Sequence, residues 1–363
     1  MKILLLIPAL NAGGAERVMV TLANEWSKAD DVTLMVFNDG NCFYKIAKNV
    51  RIKPLNIMPL QGGVQRKLSI PPTELKRFKA IYSEIRKEDY DFVLSFCFTT
   101  NIFASLVAIK EKNKKIIVSE RNDPYRYATY IRFLINALYK KCTMVVCQNN
   151  EVKKYFKKHK FKNNLVVLDN PVNFEDIPEK RPEFIADEIV TVGRLIEQKN
   201  HRLLIDAFNE IKDIYPEYKL KIYGKGPLEE ELKKYIKQLK MEDRVLLMGT
   251  RKRVMYEVNK SSVFVLSSDF EGFPNVLIEA MATGMPVIST DFNTGVARQL
   301  IRNGKNGYLV PTNDLAALVV ALENMLLRKK EFETIGYENK KIASQYRSDI
   351  VAKIWMEVLR NGE

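Results

Sequence analysis

Short apolar runs recur along this chain, each followed by a stretch of helical periodicity, and that alternation restricts it to folds built on parallel sheets. The runs fall at residues 3–7, 32–37, 92–96, 115–118, 144–147 and 165–168, and then at 189–192, 219–222, 245–248, 263–266 and 287–289. Several are apolar on both faces, as strands covered by helices on two sides must be. Helical spacing marks 15–26, 72–87, 101–109, 202–213, 227–239 and 274–283. Eleven strands would overextend one open sheet, so the pattern predicts two doubly wound α/β domains. Turn chemistry at Asp169-Asn170-Pro171 and a charged, proline-containing stretch after it place the boundary near residue 172. The domains are then 1–172 and 173–345. The tail 346–363 carries Ile350, Val351, Ile354, Trp355, Val358 and Leu359 at amphipathic helical spacing. It suits packing on its own domain or a return to the first.

Charge separates the two halves. Residues 1–172 hold 29 Lys and Arg against 15 Asp and Glu, whereas 173–363 hold 29 against 29, so the net +14 lies wholly in the first half. A one-sided basic field suits an anionic partner, and solvated lysines account for it equally. The segment 125–141 interleaves Tyr125, Tyr127, Tyr130, Phe133 and Leu134 with Arg126, Arg132, Lys140 and Lys141, a composition that fits a bilayer interface or packing on its own sheet. No recognisable nucleic-acid module is present. The run 2–10 lacks a small-residue cleavage site and reads as a buried first strand. No segment approaches the ~20 apolar residues of a membrane span. A cytoplasmic location is expected, with the membrane's inner face as a possible docking surface. Cys42, Cys97, Cys142 and Cys147 have no paired spacing and read as reduced thiols.

Three loops carry the chemistry. Asn11-Ala12-Gly13-Gly14-Ala15-Glu16-Arg17 follows the first strand and opens a helix, where free N–H groups favour an anion. An ordinary tight turn also explains its two glycines. Gly193-Arg194-Leu195-Ile196-Glu197-Gln198-Lys199 follows the first strand of the second domain, so Arg194 and Lys199 stand where open α/β sheets bind ligands. Two such cations can neutralise a departing diphosphate. Ser268-Asp269-Phe270-Glu271-Gly272-Phe273-Pro274-Asn275-Val276 follows strand 263–266, and Glu279 lies in the helix beyond it. Pro274 suits that helix's first turn, and the N–H groups of Asn275 and Val276 suit an anion. Carboxylates at Glu271 and Glu279 suit sugar and ribose hydroxyls. The turns at Gly224-Lys225-Gly226-Pro227 and Gly249-Thr250-Arg251 could line a nucleobase pocket, or be turns only.

Taken in order, Gly13-Gly14-Ala15-Glu16, Gly193-Arg194 with Lys199, Gly224-Lys225-Gly226-Pro227 and the E-x7-E pair Glu271 and Glu279 resemble family four of the retaining GT-B glycosyltransferases. That family includes bacterial capsule, O-antigen and lipid-linked-oligosaccharide transferases. Gly13 to Arg17 and Val118-Ser119-Glu120 are similar to N-acetylgalactosaminyltransferases that extend polyprenyl-diphosphate-linked glycans. The resemblance implies two Rossmann-like domains facing across a cleft, a UDP-linked or other nucleotide-sugar donor, and a glycan acceptor. It also implies transfer with retention on the donor's front face, and a tail helix that crosses back to the first domain. Arg194 and Lys199 would bind the diphosphate, and Glu271 the transferred sugar. Gly272, Phe273, Pro274 and Asn275 would lie beside that sugar, Glu279 would hold the ribose, and Gly14 would approach the donor. Many relatives place a histidine after the strand that here ends at Val118. This chain has Ser119-Glu120-Arg121-Asn122 instead, so Arg121 or Asn122 is expected on the acceptor side.

Asp89-Tyr90-Asp91 spells a metal motif of a different transferase fold, but its place between a helix and a strand fits turn chemistry. No cofactor and no essential metal are expected. A nucleotide-sugar epimerase of the same architecture and a basic-surface binding protein are the competing readings.

Overall fold

The computed structural model describes residues 1–57, 72–161 and 164–361. The chain divides into two compact units, Met1–Pro171 with Ser348–Glu363, and Val172–Arg347. Among the described residues there are thirteen strands.

The first unit holds β1 (Lys2–Leu6), β2 (Asp31–Val36), β3 (Arg51–Pro54), β4 (Phe92–Phe96), β5 (Ile116–Glu120), β6 (Met144–Cys147) and β7 (Leu165–Val167). They form one sheet in the order β3-β2-β1-β4-β5-β6-β7, all pairs parallel. Helices α1 (Gly14–Trp26), α2 (Pro72–Lys87), α3 (Phe98–Lys110), α4 (Thr129–Tyr139) and α5 (Asn150–Lys158) make the crossovers. Every residue of β4, β5 and β6 is buried, which explains their unbroken apolar signal.

The second unit holds β8 (Ala186–Val192), β9 (Lys219–Tyr223), β10 (Val245–Gly249), β11 (Ser261–Leu266), β12 (Val287–Thr290) and β13 (Gly307–Val310). Its sheet runs β10-β9-β8-β11-β12-β13, again parallel throughout. Its helices are α6 (His201–Ile211), α7 (Glu229–Gln238), α8 (Val254–Val258), α9 (Asn275–Thr283), α10 (Val296–Leu300), α11 (Leu315–Leu327) and α12 (Phe332–Ala343). The last helix, α13 (Ser348–Asn361), belongs to the first unit. Residues 362 and 363 of the expected tail helix lie outside the described residues.

Each sheet has one point where strand order reverses, between β1 and β4 in the first unit and between β8 and β11 in the second. Loops leaving two such strands diverge and leave a crevice at the carboxyl edge. In the second unit those loops are 193–200 and 267–274, the two segments richest in candidate chemistry.

Two expectations need correction. Strands β3 and β13 add to the eleven runs visible in the sequence, because all four residues of β3 are exposed and β13 is only four residues long. Pro274 is not in the first helical turn. It is the N-cap of α9, with φ −85° and ψ 67°, and the helix begins at Asn275.

Candidate active site

The loop after β8 is set by its neighbours. Gly193 N–H donates to Tyr223 O at 2.9 Å, Leu195 N–H to Lys225 O at 3.1 Å, and Gly224 N–H to Gly249 O at 2.9 Å. The turns ending β8, β9 and β10 are thereby laced in series. A Cβ on Gly224 would sit 1.9 Å from Gly193 O, and one on Gly226 2.3 Å from Leu195 O. Gly224 also has φ +148°, so only glycine fits there. These glycines let two loops meet, which the sequence had left open between a nucleobase pocket and a plain turn. Arg251 lies on the outermost turn and pairs with Glu257, Nε to Oε1 3.3 Å.

The loop after β11 is tied to the first across the reversal point. Asp269 N–H donates to Gln198 O at 2.9 Å, Gln198 Nε2 to Phe270 O at 2.8 Å, and Ser267 Oγ to Lys199 O at 3.0 Å. Asn200 Nδ2 donates to Asp269 Oδ1 at 2.7 Å. Inside this lacing, Lys199 Nζ meets Glu271 Oε1 at 2.6 Å, and Ser268 Oγ donates to the same oxygen at 2.6 Å. Both partners of the ion pair are largely buried, with side chains 15% and 9% exposed. Glu271 Oε2 takes no hydrogen bond among the described residues, so one lobe of a fixed carboxylate is left to accept. The Lys199 stem runs over Gly193, where a Cβ would lie 3.2 Å from Lys199 Cδ. Arg194 is exposed, and its guanidinium makes no ion pair or hydrogen bond among the described residues.

The helix that follows supplies less than the sequence suggests. Asn275 N–H closes on Phe273 O at 3.0 Å, and Val276 N–H has no backbone partner among the described residues at the start of α9. Phe273 is buried with its ring 5.9 Å from Tyr346, and Glu279 is 2% exposed within α9. Gly272 and Pro274 complete the turn between Glu271 and that helix.

The first unit's candidates form separate clusters. Gly13 N–H donates to Asn11 O at 2.9 Å, while its carbonyl accepts Arg17 N–H at 3.0 Å and Tyr44 Oη at 3.1 Å. Gly13 is thus the N-cap of α1, which begins at Gly14, and its carbonyl is held by two donors. Arg121 follows the last residue of β5, at the carboxyl end of that strand. It is 8% exposed, lies 4.6 Å over the Phe96 ring and donates through Nη2 to Asn170 Oδ1 at 2.7 Å. Burial lowers its pKa to about 10. Asn122 Nδ2 donates to Tyr127 Oη at 2.9 Å.

Glu120 was not singled out by spacing, yet it organises this loop. It is fully buried and accepts from Arg121 N–H, Asn122 N–H, Tyr127 Oη and Tyr139 Oη at 3.0–3.1 Å. Burial raises its pKa against those donors. Asp91 Oδ2 accepts Lys2 N–H at 2.6 Å and Asp89 pairs with Lys114 at 3.1 Å, so the D-x-D carboxylates hold a turn. Among the described residues no group of three His, Cys, Asp or Glu is placed to hold a metal.

Residues 12–176 match the family described as Glycosyltransferase Family 4, and residues 173–342 match Glycosyl transferases group 1. An N-acetylgalactosamine-N,N'-diacetylbacillosaminyl-diphospho-undecaprenol 4-alpha-N-acetylgalactosaminyltransferase of Campylobacter jejuni is 30% identical over 361 residues, covering 93% of each chain. The chain is a family 4 glycosyltransferase. A second Campylobacter jejuni relative is named a GalNAc-alpha-(1->4)-GalNAc-alpha-(1->3)-diNAcBac-PP-undecaprenol alpha-1,4-N-acetyl-D-galactosaminyltransferase. It is 29% identical to this glycosyltransferase over 361 residues, spanning 99% of this chain and 98% of that protein. The solved structure of Anabaena Alr3699/HepE in complex with UDP superposes with a TM-score of 0.81 at 18% identity, covering 99% of this chain and 100% of that one. The fold is therefore the GT-B arrangement of two Rossmann-like units.

Proposed function

We propose that this glycosyltransferase moves a hexose or N-acetylhexosamine from a UDP-sugar to a polyprenyl-diphosphate-linked or other surface-polysaccharide glycan, with retention of anomeric configuration. The observation that carries the reading is the Lys199–Glu271 pair at the reversal point of the second sheet, with unpaired Arg194 on the same loop. Two cations whose one ion pair among the described residues is with Glu271 suit a diphosphate, and the free lobe of Glu271 suits a sugar hydroxyl. Glu279 would take the ribose. The polyprenyl acceptor is taken from the names of the two Campylobacter relatives and the nucleotide from the UDP of HepE. On this reading the second unit binds the donor and the first meets the acceptor.

The step is a front-face displacement. The glycosidic C–O bond to the diphosphate breaks with oxocarbenium character, and the leaving phosphate oxygen takes the proton of the attacking hydroxyl. The new bond forms on the face the diphosphate leaves. Arg194 and Lys199 balance the charge that grows on the phosphate, and no protein nucleophile is used.

The test is NMR of the product formed from a panel of UDP-sugars and a polyprenyl-diphosphate disaccharide, with and without chelator. Because two side-chain cations balance the diphosphate, we expect an anomerically retained product and undiminished rates in EDTA. An inverted product would sink the mechanism. Loss of activity restored by Mn²⁺ would sink the metal-independent reading. Isomerisation of the donor without acceptor would favour an epimerase.

We also propose that the first unit docks on an anionic bilayer. Tyr130 and Phe133 are 75% and 78% exposed, Leu134 of the same helix is exposed too, and only Ile135, Asn136 and Tyr139 of α4 are buried. Arg132, Lys140 and His159 line a hollow of about 620 Å³ against Phe133. No helix among the described residues is long and apolar enough to cross a membrane, so attachment would be interfacial. Tyr130→Ser with Phe133→Ser should reduce sedimentation with phosphatidylglycerol vesicles several-fold while leaving the melting temperature unchanged. Equal, weak binding of the wild type to anionic and neutral vesicles would refute docking.

A further inference from the structure

His201 is the first residue of α6 and is 3% exposed. Its Nε2 lies 3.1 Å from Arg194 O. A carbonyl only accepts, so Nε2 must carry the proton, and Nδ1 holds the lone pair. Burial pushes the imidazole down to about 4, which keeps that tautomer neutral in ordinary buffers. Its hydrogen bond ends on the peptide of the residue whose guanidinium is exposed and makes no ion pair or hydrogen bond among the described residues.

The surroundings make that contact a lever. The residues flanking Arg194 are tied to the β9 turn through Gly193 N–H and Leu195 N–H. Among the described residues the Arg194 carbonyl receives Ile196 N–H, at 2.9 Å, and the imidazole. The position of His201 is in turn set by Asn200, a left-handed residue at φ 42° whose Oδ1 caps α6 through Leu203 N–H at 3.2 Å. Asn200 Nδ2 reaches Asp269 Oδ1 and Asn313 Oδ1, each at 2.7 Å.

We propose that His201 is a positioning residue for diphosphate recognition: its Nε2–H fixes the Arg194 peptide and thereby aims the Arg194 guanidinium. The proposal rests on the reading of Arg194 as a phosphate ligand. A preset guanidinium loses less freedom when it binds, so the loss of its anchor should appear in donor parameters and not in acceptor binding.

The test is a double-mutant cycle on the full chain with UDP-sugar as varied substrate. His201→Phe keeps a ring and removes the donor, whereas His201→Gln carries an amide N–H to about the same reach. We expect His201→Phe to lower donor kcat/KM about tenfold with acceptor KM unchanged, and His201→Gln to restore most of it. In an Arg194→Ala background, His201→Phe should cost nothing further, since the group it aims is gone. Additive losses in the cycle, or equal losses in both His201 variants that track a lowered melting temperature, would show a structural role and overturn the proposal. Near-wild-type kinetics in His201→Phe would overturn it as well. If Arg194→Ala alone leaves donor kinetics intact, the phosphate site itself has failed and His201 falls with it.

Discussion

Arg194→Ala and Lys199→Ala should each lower kcat/KM by about 10²–10³, the scale seen when one preorganised donor to a developing anion is removed. The two should differ in stability. Arg194 is exposed and its guanidinium makes no ion pair or hydrogen bond among the described residues, so its removal should leave the melting temperature nearly unchanged. Lys199 is the charge partner of Glu271, whose side chain is 9% exposed. Without it a nearly buried carboxylate keeps only the Ser268 hydroxyl, and an unpaired buried charge is costly. Lys199→Ala should therefore melt lower, and Lys199→Ala with Glu271→Gln should regain much of that stability while staying inactive. Arg194→Lys should fall between wild type and alanine, since a point charge replaces a bidentate fork. The readout is steady-state kinetics beside thermal melting. Near-normal rates in both alanine variants would remove the proposed diphosphate site, whatever the melting curves do.

The sequence exposes the parts of this site that lie on one loop and hides the parts that join two. Arg194, Lys199 and Glu271 each stand after a legible strand, and topology alone carries strand ends to a carboxyl edge. The contacts that assemble them span 68 to 72 residues, as in Ser267 to Lys199 and Lys199 to Glu271, and no local pattern announces such a pairing. His201 is hidden for another reason. A lone histidine at a helix start has no periodicity, and its partner is a backbone carbonyl, which has no residue identity to read. Glu120 ends β5 after the apolar run 116–118 and Ser119, and looks like the start of a polar loop, yet four donors converge on it. Strand β3 shows the same limit in the fold. An edge strand that is exposed on both faces and ends in proline has no hydrophobic alternation to detect. Strands buried on both faces, such as β4 and β6, are legible because the requirement that they be apolar does not depend on what lies opposite.

Trp355→Ala should destabilise the first unit by about 3–5 kcal/mol, the range for deleting a fully buried large aromatic. Trp355 is completely buried and packs 6.0 Å from Phe96, while its Nε1–H donates to Asp169 O at 2.7 Å. The rest of α13 is held in the same way. Trp26 Nε1 donates to Ala352 O at 2.9 Å, Ser348 Oγ to Glu25 Oε1 at 2.8 Å, and Val351, Met356 and Leu359 join Ile3, Leu5 and Leu34 in one core. The helix is thus part of the first unit's core although it comes last in the chain, and the cavity left by the indole borders Phe96 of β4. Domain stabilities are only about 5–15 kcal/mol, so this loss takes a large fraction of the total. Calorimetry should show the transition of the first unit lowered by roughly 10 °C, at about 2–4 °C per kcal/mol for a unit of this size. Trp355→Phe, which keeps most of the volume and loses the hydrogen bond to Asp169, should fall less than half as far. The second unit has its own core around Ile189, Leu220, Val263 and Leu322, so its transition should stay in place. A Trp355→Ala protein that melts with the wild type would mean that α13 contributes nothing to the stability of the first unit, despite its burial there.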